Sequence, residues 1–385
     1  MKISGKIILK QGRDASVKRL HPWVFSGGIL RKEGEIGEGD WVEVTDVRGA
    51  TLGFGHFQNG SIMVRVLHFE STNPSAEFYH QKIIRAFALR KKLNLISPAT
   101  NSYRLVHGEG DGLSSLIVDV YDKVAVVQSH SSGMHRDRQV IATAIADVLQ
   151  VENVFYKSQS GEHAEYLLGG STVPSQILEH GNKFLVDWEQ GQKTGFFLDQ
   201  RENRKLVGEF SSGRKVLNTF CYTGGFSVYA IRGGAQVVHS VDASAKAIEL
   251  CKKNIDVNGF DPNHHACIAQ DTFEYFNSTT EKYDLIILDP PAFAKHREAK
   301  HQAMKGYQRL NTEAIKLVEP GGILFTFSCS QVVDRKLFYD TIMSSAIQAG
   351  RDVKVLSQLS QPADHPVSAF CPEGEYLKGL VLYVG

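Results

Sequence analysis

The feature that most constrains the fold is an alternation of strands and helices that starts near residue 190. Four short segments rich in strand-forming apolar residues are predicted to be strands: "KVLNTF", "QVVHSVD", "YDLIILD" and "ILFTFS". Helical segments separate them, and one of these, "SAKAIELCKKNIDVNG", ends at Gly259. Strands that are apolar throughout are buried on both faces, and intervening helices make successive strands parallel. This part of the chain is therefore predicted to be an α/β unit with a mostly parallel sheet.

Two smaller units are predicted before it. The segments "GDWVEVTDVRGATLGFGHF" and "SIMVRVLHF" contain short alternating strands between turn residues, which is typical of a small all-β module. A helix over 76–95 follows. The middle of the chain has a pair of strands in "YRLVHGEGDGLSSLIVDVYDKVAVVQSH", a helix over 135–150 and further strands in "NVFYKS", "SQILEHG" and "NKFLVDW". We expect an all-β domain at 1–72, a strand-strand-helix-strand-strand α+β domain at 73–190 and the α/β domain at 191–385.

The charge of the chain is nearly balanced but unevenly distributed. The net charge is +1, which does not by itself indicate a polyanionic partner. Cations nevertheless cluster in residues 1–32, 80–92 and 294–309. The last run contains Lys295, Arg297, Lys300, Lys305 and Arg309. A basic stripe binds polyanions even on a neutral protein, although a solvated face is an equally good interpretation of any single run.

Cysteine spacing and hydropathy exclude several classes of protein. The five cysteines form no CxxC pair, so we expect reduced thiols and no metal site. No apolar run reaches 18 residues, so we expect a cytoplasmic protein that does not contact the membrane.

Polar residues follow the strands of the α/β unit at the edge where such sheets bind ligands. The first strand runs into "LNTFCYTGGFS", where Gly224 and Gly225 permit a close backbone approach to a ligand at a helix N-terminus. The turn lacks the GxGxxG pattern, which disfavours a dinucleotide. The second strand ends at Asp242, 24 residues after Asn218, where a carboxylate accepts hydrogen bonds from ribose hydroxyls. The alternative is that Asp242 caps the helix that begins near Ser244.

The next two strand ends are also acidic. In "CIAQDTFEY", Asp271 is placed to accept a hydrogen bond from an adenine amine. In "IILDPPAF", Asp289 precedes Pro290 and Pro291, which make a stiff loop suited to holding a planar substrate.

Taken in order, "VLNTFCYTGGFS", "VDAS", "QD" and "LDPP" resemble the class I S-adenosylmethionine-dependent methyltransferases, and the Asp-Pro-Pro form resembles those that act on nucleic-acid bases. The segment "KTGFFLDQRENR" is similar to the one that covers the cofactor in RNA methyltransferases. The resemblance implies a Rossmann-like, seven-stranded, mostly parallel sheet, with S-adenosylmethionine as cofactor and S-adenosylhomocysteine as product. It assigns to the cofactor pocket Lys193, Phe196, Gln200, Arg201, Asn218, Phe220, Thr223, Gly224, Asp242, Ser244, Asp271 and Asp289.

A cysteine follows the strand after the Asp-Pro-Pro strand, in "FTFSCSQ". A lone cysteine at a strand end is usually a small core residue. Cys329, however, is expected at the same edge of the sheet as Asp289. Carbon-5 of a pyrimidine becomes nucleophilic when a thiolate adds to carbon-6, so an enzyme methylating that carbon needs a thiol and an acidic group at the ring. We therefore predict that Cys329 is the catalytic nucleophile and Asp289 its acidic partner.

The resemblance extends over the whole chain. The segments "HPWVFSGGI" and "GDWVEV" look like a PUA domain, an RNA-binding module, and the α+β domain looks like the one that accompanies it. With "TGFFLDQR", "YTGGFSVYA", "DPPAFAK", "FSCS", "DHPV" and "PEGEYLKG", the chain resembles the bacterial 23S ribosomal RNA cytosine-5 methyltransferases. This implies 23S ribosomal RNA, free or partly assembled, as the partner, and a second copy of the chain in a homodimer is a further candidate.

One residue pair departs from the pattern of cytosine-5 RNA methyltransferases. Many of them carry a second cysteine just after the Asp-Pro, where this chain has Pro291. Release of the product must then be assisted by water, by Asp289 or by another group.

Other functions remain as alternatives. A uridine carbon-5 methyltransferase also uses a cysteine in such a turn, but with Asn-Pro after it, where this chain has Ser330-Gln331. A guanine-nitrogen methyltransferase of the same fold would lack the cysteine. A non-catalytic RNA-binding or assembly factor would not need the complete set of cofactor residues. A small-molecule methyltransferase would not need the two accessory domains.

Overall fold

The structure, a computed structural model, describes residues 1–158, 161, 163–294 and 297–385. It divides into two compact units, each built from more than one segment of the chain. The first unit comprises Met1–Leu178, Val186–Leu198 and Ala363–Gly374. The second comprises Glu179–Leu185, Asp199–Pro362 and Glu375–Gly385.

The first unit begins with an all-β sheet. Its elements are β1 (Ile3–Leu9), α1 (Ala15–Lys18), β2 (Trp23–Phe25), β3 (Ile29–Gly34), β4 (Trp41–Thr45), β5 (Thr51–Phe57) and β6 (Ile62–His68). In the continuously described range 1–158, these six strands form one sheet in the order β2-β6-β5-β4-β1-β3. Alternate residues such as Ile7, Val42, Val44 and Val64 are fully buried and form its core, as the period-2 pattern predicts.

A second sheet and its helices follow in the same unit. The elements are α2 (Phe78–Lys92), β7 (Ser102–His107), β8 (Leu116–Tyr121), β9 (Val124–Ser129), α3 (Ser132–Arg136), α4 (Arg138–Leu149), β10 (Asn153–Ser158) and β11 (Ala164–Leu168). The described strands are ordered β11-β10-β9-β8-β7. A two-stranded sheet of β12 (Ser175–Glu179) and β13 (Asn182–Val186) comes next along the chain.

The strands before the helix differ from the prediction. The segment expected to hold a pair of strands holds three, β7, β8 and β9. The reason is the two-residue turn Asp122-Lys123, where Asp122 has φ +56° and splits the apolar run "LIVDVYDKVAVVQS" into an antiparallel hairpin. Neither Gly nor Asn marks this turn, so the sequence pattern predicts one continuous strand here.

The second unit is an α/β sandwich. Its elements are α5 (Arg201–Glu209), β14 (Lys215–Thr219), α6 (Gly225–Arg232), β15 (Val237–Asp242), α7 (Ala245–Asp256), β16 (His265–Ala269), α8 (Thr272–Ser278), β17 (Tyr283–Leu288), α9 (Lys300–Leu317), β18 (Val318–Ser328), α10 (Arg335–Ala349), β19 (Val353–Leu359) and β20 (Lys378–Val384). The seven strands that the described residues contribute are ordered β16-β15-β14-β17-β18-β20-β19. In this described sheet β20 runs antiparallel to both of its neighbours, β18 and β19, and the other neighbouring pairs are parallel. The predicted fold class, with its mostly parallel sheet, is confirmed.

The sheet is covered on both faces. Along β17, Ile286 and Leu288 belong to one apolar cluster, which includes residues of α9 and α10, whereas Leu285 and Ile287 belong to the other, on the side of α5 and α6. All four side chains are fully buried. The alternation explains why the strands are apolar throughout, because both sets of side chains are removed from water.

Strand order places the functional edge of the sheet. The chain leaves β14 towards β15 and β16 on one side and returns to β17 and β18 on the other. The carboxyl ends of β14 and β17 therefore flank a topological switch point, the position where open α/β sheets bind ligands. In register, Thr219 pairs with Leu288 and Leu288 with Thr326, so the turns that follow all three strands lie side by side. None of the described helices is long and apolar enough to span a bilayer.

Candidate active site

The turn after β14, residues 220–224, has an unusual backbone. Phe220 and Tyr222 have φ values of +52° and +47°, and Gly224 has φ +80°. A Cβ at Gly224 would lie 2.4 Å from the Cys251 sulfur, so both the backbone and the space require glycine there. Thr223 is buried, and its carbonyl accepts a hydrogen bond of 2.8 Å from Asn254. The turn, which we call the cofactor turn, thus brings bare backbone to the N-terminus of α6.

Asn218 lies directly before this turn and is fully buried. Its amide nitrogen donates to the Ser227 hydroxyl at 2.8 Å. Its side-chain oxygen is buried and has no hydrogen-bond partner within the described residues. A buried acceptor without a donor is costly, so this oxygen is suited to a donor that a bound molecule provides.

Asp242 ends β15 and faces the cofactor turn. Its two carboxylate oxygens accept hydrogen bonds of 2.9 Å from the backbone nitrogens of Tyr222 and Ser244. The helix α7 is capped by Ser244, whose hydroxyl accepts from the Ala247 nitrogen. Asp242 is therefore not the cap that the alternative interpretation required, and each of its oxygens retains a lone pair for a further donor.

Two residues predicted for the cofactor pocket have capping roles in the structure. Ser244 caps α7, as described above. Asp271 is exposed and caps α8, because its Oδ1 atom accepts from the nitrogens of Phe273 and Glu274 at 2.8 and 3.2 Å. These bonds fix both side chains at the carboxyl ends of β15 and β16.

Asp289 follows β17 and is tied to the start of α5. The amide nitrogen of Gln200 donates to its Oδ2 atom at 3.0 Å, and Asn203 donates to the Gln200 oxygen at 2.6 Å. Gln200 and Arg201 are both nearly inaccessible to solvent. The Arg201 Nε atom lies 3.4 Å from the carboxylate of Glu202. Five of the predicted positions, Asn218, Phe220, Asp242, Asp289 and Gln200, therefore lie along one edge of the sheet.

Lys193 and Phe196 belong to the first unit. Lys193 is exposed, has φ +50°, and its ammonium group lies 5.1 Å from the centre of the Phe197 ring. Phe196 is buried, and its carbonyl accepts a hydrogen bond from the Tyr121 hydroxyl at 3.4 Å. The structure thus divides the predicted cofactor residues between the two units.

Cys329 lies in the turn after β18, residues 328–330, which we call the thiol turn. It is partly exposed, whereas Ser328 and Ser330 on either side are buried. The Ser330 hydroxyl donates to the carbonyl of Ala294 at 2.8 Å, which joins this turn to the loop that follows Asp289. The Ser328 hydroxyl donates to the Tyr307 hydroxyl at 3.0 Å. The structure therefore brings the Cys329 turn and the Asp-Pro-Pro loop together.

Two residues at this turn were not identified from the sequence. Burial raises the pKa of Tyr307 to about 12, and the nearby Cys329 and Asp289 also raise it. Lys378, the first residue of β20, is buried and donates to the Ser330 carbonyl at 2.6 Å. Burial lowers the pKa of Lys378 to about 8, although Cys329 opposes that shift. Lys378 is 49 positions from Cys329, and only the pairing of β18 with β20 relates them.

Two groups of side chains that could ligate a metal ion also come together, although the cysteine spacing in the sequence predicted neither group. They are Cys251, His265 and Cys267 in the second unit and His21, Cys371 and Glu373 in the first. The His265 Nε2 atom is 2.8 Å from the Ser240 hydroxyl. Burial raises the pKa of Cys371 to about 12, so this thiol is protonated at neutral pH. All five cysteines lie in the described residues, and none forms a disulfide.

A cleft of about 390 Å³ lies beside the Asp-Pro-Pro loop. The aromatic rings of Phe273 and Phe293 line it, and the exposed cations Lys305 and Arg309 stand one helical turn apart at its rim on α9. The Arg309 guanidinium lies 4.7 Å from the centre of the Phe273 ring. Of the basic run predicted at 294–309, Lys295 and the side chain of Arg297 lie outside the described residues.

Comparison with known proteins identifies the domains and the fold. A family model for S-adenosylmethionine-dependent methyltransferases matches residues 136–375, and one for a PUA-like domain matches residues 7–69. Two solved structures share the fold over 100 % of both chains. One, from Streptococcus mutans and described as a SAM-dependent methyltransferase, has 22 % identity and a TM-score of 0.87. The other, described as a methyltransferase complexed with SAH, has 23 % identity and a TM-score of 0.88.

Curated relatives match over almost the full length. Ribosomal RNA large subunit methyltransferase I of Alteromonas mediterranea is 37 % identical, with 99 % of each chain covered. The protein of the same name from Shewanella amazonensis is 38 % identical, with 99 % of this chain and all of that one covered. The predicted cofactor, S-adenosylmethionine, is confirmed by the family model. The chain belongs to the ribosomal RNA large subunit methyltransferase I family of S-adenosylmethionine-dependent methyltransferases.

Proposed function

We propose that the protein methylates carbon-5 of a cytosine in 23S ribosomal RNA through a covalent adduct between Cys329 and carbon-6. The observation that carries the proposal is the partly exposed thiol in a turn hydrogen-bonded to the loop that follows Asp289. The names of the curated relatives support ribosomal RNA of the large subunit as the substrate class.

The thiol has a specific task in this chemistry. When the Cys329 thiolate adds to carbon-6, electron density moves to carbon-5, which then attacks a methyl group. Water, Asp289 or another group then accepts the carbon-5 proton, the double bond between carbon-5 and carbon-6 re-forms, and the sulfur leaves carbon-6 as the thiolate. Methyl transfer to an exocyclic nitrogen needs no such adduct, so a thiol in this position favours a carbon acceptor over guanine nitrogen.

Asp289 favours cytosine over uracil. Cytosine presents an amino donor at carbon-4, and a carboxylate accepts from it, whereas uracil presents a carbonyl oxygen there that a carboxylate repels. The hydrogen bond from Gln200 to Oδ2 orients the Asp289 carboxylate. The carboxylate thereby acts as a positioned acceptor at the ring rather than a mobile surface charge.

The cofactor supplies an electrophilic methyl group on a sulfonium. The edge of the second unit fits it in two respects: the Asn218 oxygen lacks a donor within the described residues, and the cofactor turn has no side chain at Gly224. We assign Asp242 to the ribose hydroxyls, Asp271 to the adenine amine, and Arg201 to the carboxylate. The remaining predicted positions of the second unit, to which we assign supporting contacts, are Gln200, Phe220, Thr223 and Ser244.

We assign the RNA chain beside the target base to the cleft at Phe273 and Phe293. Aromatic rings stack on bases, and exposed cations attract phosphates. Neither Lys305 nor Arg309 forms an ion pair within the described part of the chain, so both are available for phosphate contacts. Lys305→Glu with Arg309→Glu should weaken RNA binding and flatten its salt dependence, measured by filter binding at several salt concentrations. Lys316→Glu, on the same helix but outside the cleft, is the control and should bind as the wild type.

Bisulfite mapping of ribosomal RNA from cells with and without the protein tests the reaction. We expect one cytosine of 23S RNA to lose its methylation in the absence of the protein. A substrate with 5-fluorocytosine at that position should trap the enzyme at Cys329. Fluorine replaces the carbon-5 hydrogen, and a base cannot remove it, so the bond between sulfur and carbon-6 is not broken. An unchanged bisulfite pattern at every cytosine would contradict the proposal, as would a trapped adduct at another cysteine.

A further inference from the structure

Lys378 is a buried cation beside the thiol turn, and the proposed reaction gives it no role. Only 4 % of its surface is exposed. In the register of β18 and β20 it stands opposite Ser328, next to the thiol turn. Its Nζ atom donates to the Ser330 carbonyl at 2.6 Å. One carbonyl does not compensate a buried ammonium group, which needs an anion close by.

Several titratable groups lie near Lys378. None of the ion pairs between the described carboxylates and cations includes Lys378. Burial has the largest effect on the pKa of Lys378 and lowers it. Among the neighbouring groups, Cys329 raises this pKa most, followed by Glu375. Arg335 lowers it, and Asp334 raises it least. Tyr307, which faces the same turn from α9, has its pKa raised to about 12 mainly by burial and is therefore neutral at physiological pH.

We propose that Lys378 is the positioning residue that keeps Cys329 ionised and holds its turn against β20. The inference rests on the proposed function, because it explains how the nucleophile forms beside a carboxylate. Asp289 and a thiolate are both anions, and bringing them together disfavours ionisation of the thiol. The ammonium group of Lys378 offsets that repulsion and stabilises the thiolate.

The arrangement has a definite pH dependence. The pKa of Lys378 is lowered to about 8, so its charge is present below that pH and is lost as the pH rises through it. Ionisation of the thiol rises with pH over the same range. The reactivity of Cys329 should therefore rise with pH throughout, but the rise should be shallower near pH about 8, where the support of the cation is lost.

The rate of Cys329 alkylation by iodoacetamide against pH, followed by peptide mass spectrometry, tests the pairing without requiring catalysis. Lys378→Met should slow alkylation at neutral pH about tenfold and move the acidic inflection up by about one pH unit, which is the tenfold change expressed on the pH scale. Lys378→Arg retains the charge at all these pH values. It should react at nearly the wild-type rate at neutral pH, and its alkylation rate should rise without the shallower region near pH about 8.

Lys336→Met serves as the matched control, because Lys336 is an exposed neighbouring cation paired with Asp340. It should leave the alkylation profile unchanged. If Lys378→Met fails to fold, as judged by its thermal melt, the comparison of Lys378→Arg with the wild type above pH 8 still decides the matter. An alkylation profile that does not respond to either change at Lys378 would overturn the proposal. If Lys378 controls alkylation but Cys329→Ser still methylates, the pairing holds and the proposed function fails.

Discussion

The cofactor turn and the thiol turn follow strands of one sheet but are built in different ways. The cofactor turn is determined locally: its positive φ values lie within five residues, and Asp242, which binds it, ends the next strand of the chain. The sequence "FSCS" marks the thiol turn, but the turn is held by Ala294, Tyr307 and Lys378, which are 21 to 48 positions away from the residues to which they are hydrogen-bonded. Short motifs mark both turns, but the backbone of the first is set within the turn itself, whereas the second is held by residues distant in the sequence.

Cys329→Ser should have the largest effect and separates the two turns most clearly. A serine hydroxyl is hardly ionised at neutral pH, so methyl transfer should fall by roughly a thousandfold or more. Affinity for S-adenosylhomocysteine, measured by calorimetry, should stay the same, because the cofactor turn is unchanged. The reaction is followed by transfer of a labelled methyl group to ribosomal RNA.

Cys267→Ser is the control for that experiment, since Cys267 is also partly exposed but lies on β16, away from the thiol turn. It should retain activity. If Cys329→Ser methylates at nearly the wild-type rate, Cys329 is a packed thiol and the contrast between the turns has no catalytic meaning.

The same contrast explains what could be predicted from the sequence. The parallel sheet was predictable because apolar strands, and the glycines that end the helices between them, are local sequence patterns. The strand β9 was not predicted, because the turn at Asp122 that separates it from β8 contains neither Gly nor Asn. Lys378 was missed because its role follows from pairing with Ser328, and an isolated lysine in "EYLKG" carries no local signal.

Asp242→Ala should produce the second largest effect, at the cofactor turn. It removes the charged acceptor of the Tyr222 and Ser244 nitrogens, which we also assign to the ribose. Loss of such a hydrogen bond costs roughly 1.5–3 kcal/mol, or about a ten- to hundredfold drop in affinity for S-adenosylhomocysteine. Calorimetry on the variant measures it.

Asp261→Ala is a suitable comparison, because Asp261 also accepts from a backbone nitrogen, that of Asn263, but outside the site. Its affinity should match that of the wild type. Unchanged binding in Asp242→Ala would remove Asp242 from the pocket and weaken the interpretation of the turn after β14.

Gly224→Ala, compared with Gly259→Ala, should give the smallest effect and tests whether the cofactor turn is fixed by backbone alone. Both glycines have positive φ, +80° and +69°, so alanine adds a similar backbone strain at each, roughly 1–2 kcal/mol. At Gly259 the new methyl group meets nothing within 4 Å, whereas at Gly224 it lies 2.4 Å from the sulfur of Cys251. That sulfur has little room to move, because Cys251 is fully buried and its sulfur lies 3.6 Å from that of Cys267.

Gly224→Ala should therefore lower the free energy of unfolding by about 1–2 kcal/mol more than Gly259→Ala in urea titrations. Equal losses would mean that the sulfur moves aside freely and that backbone conformation alone determines the turn.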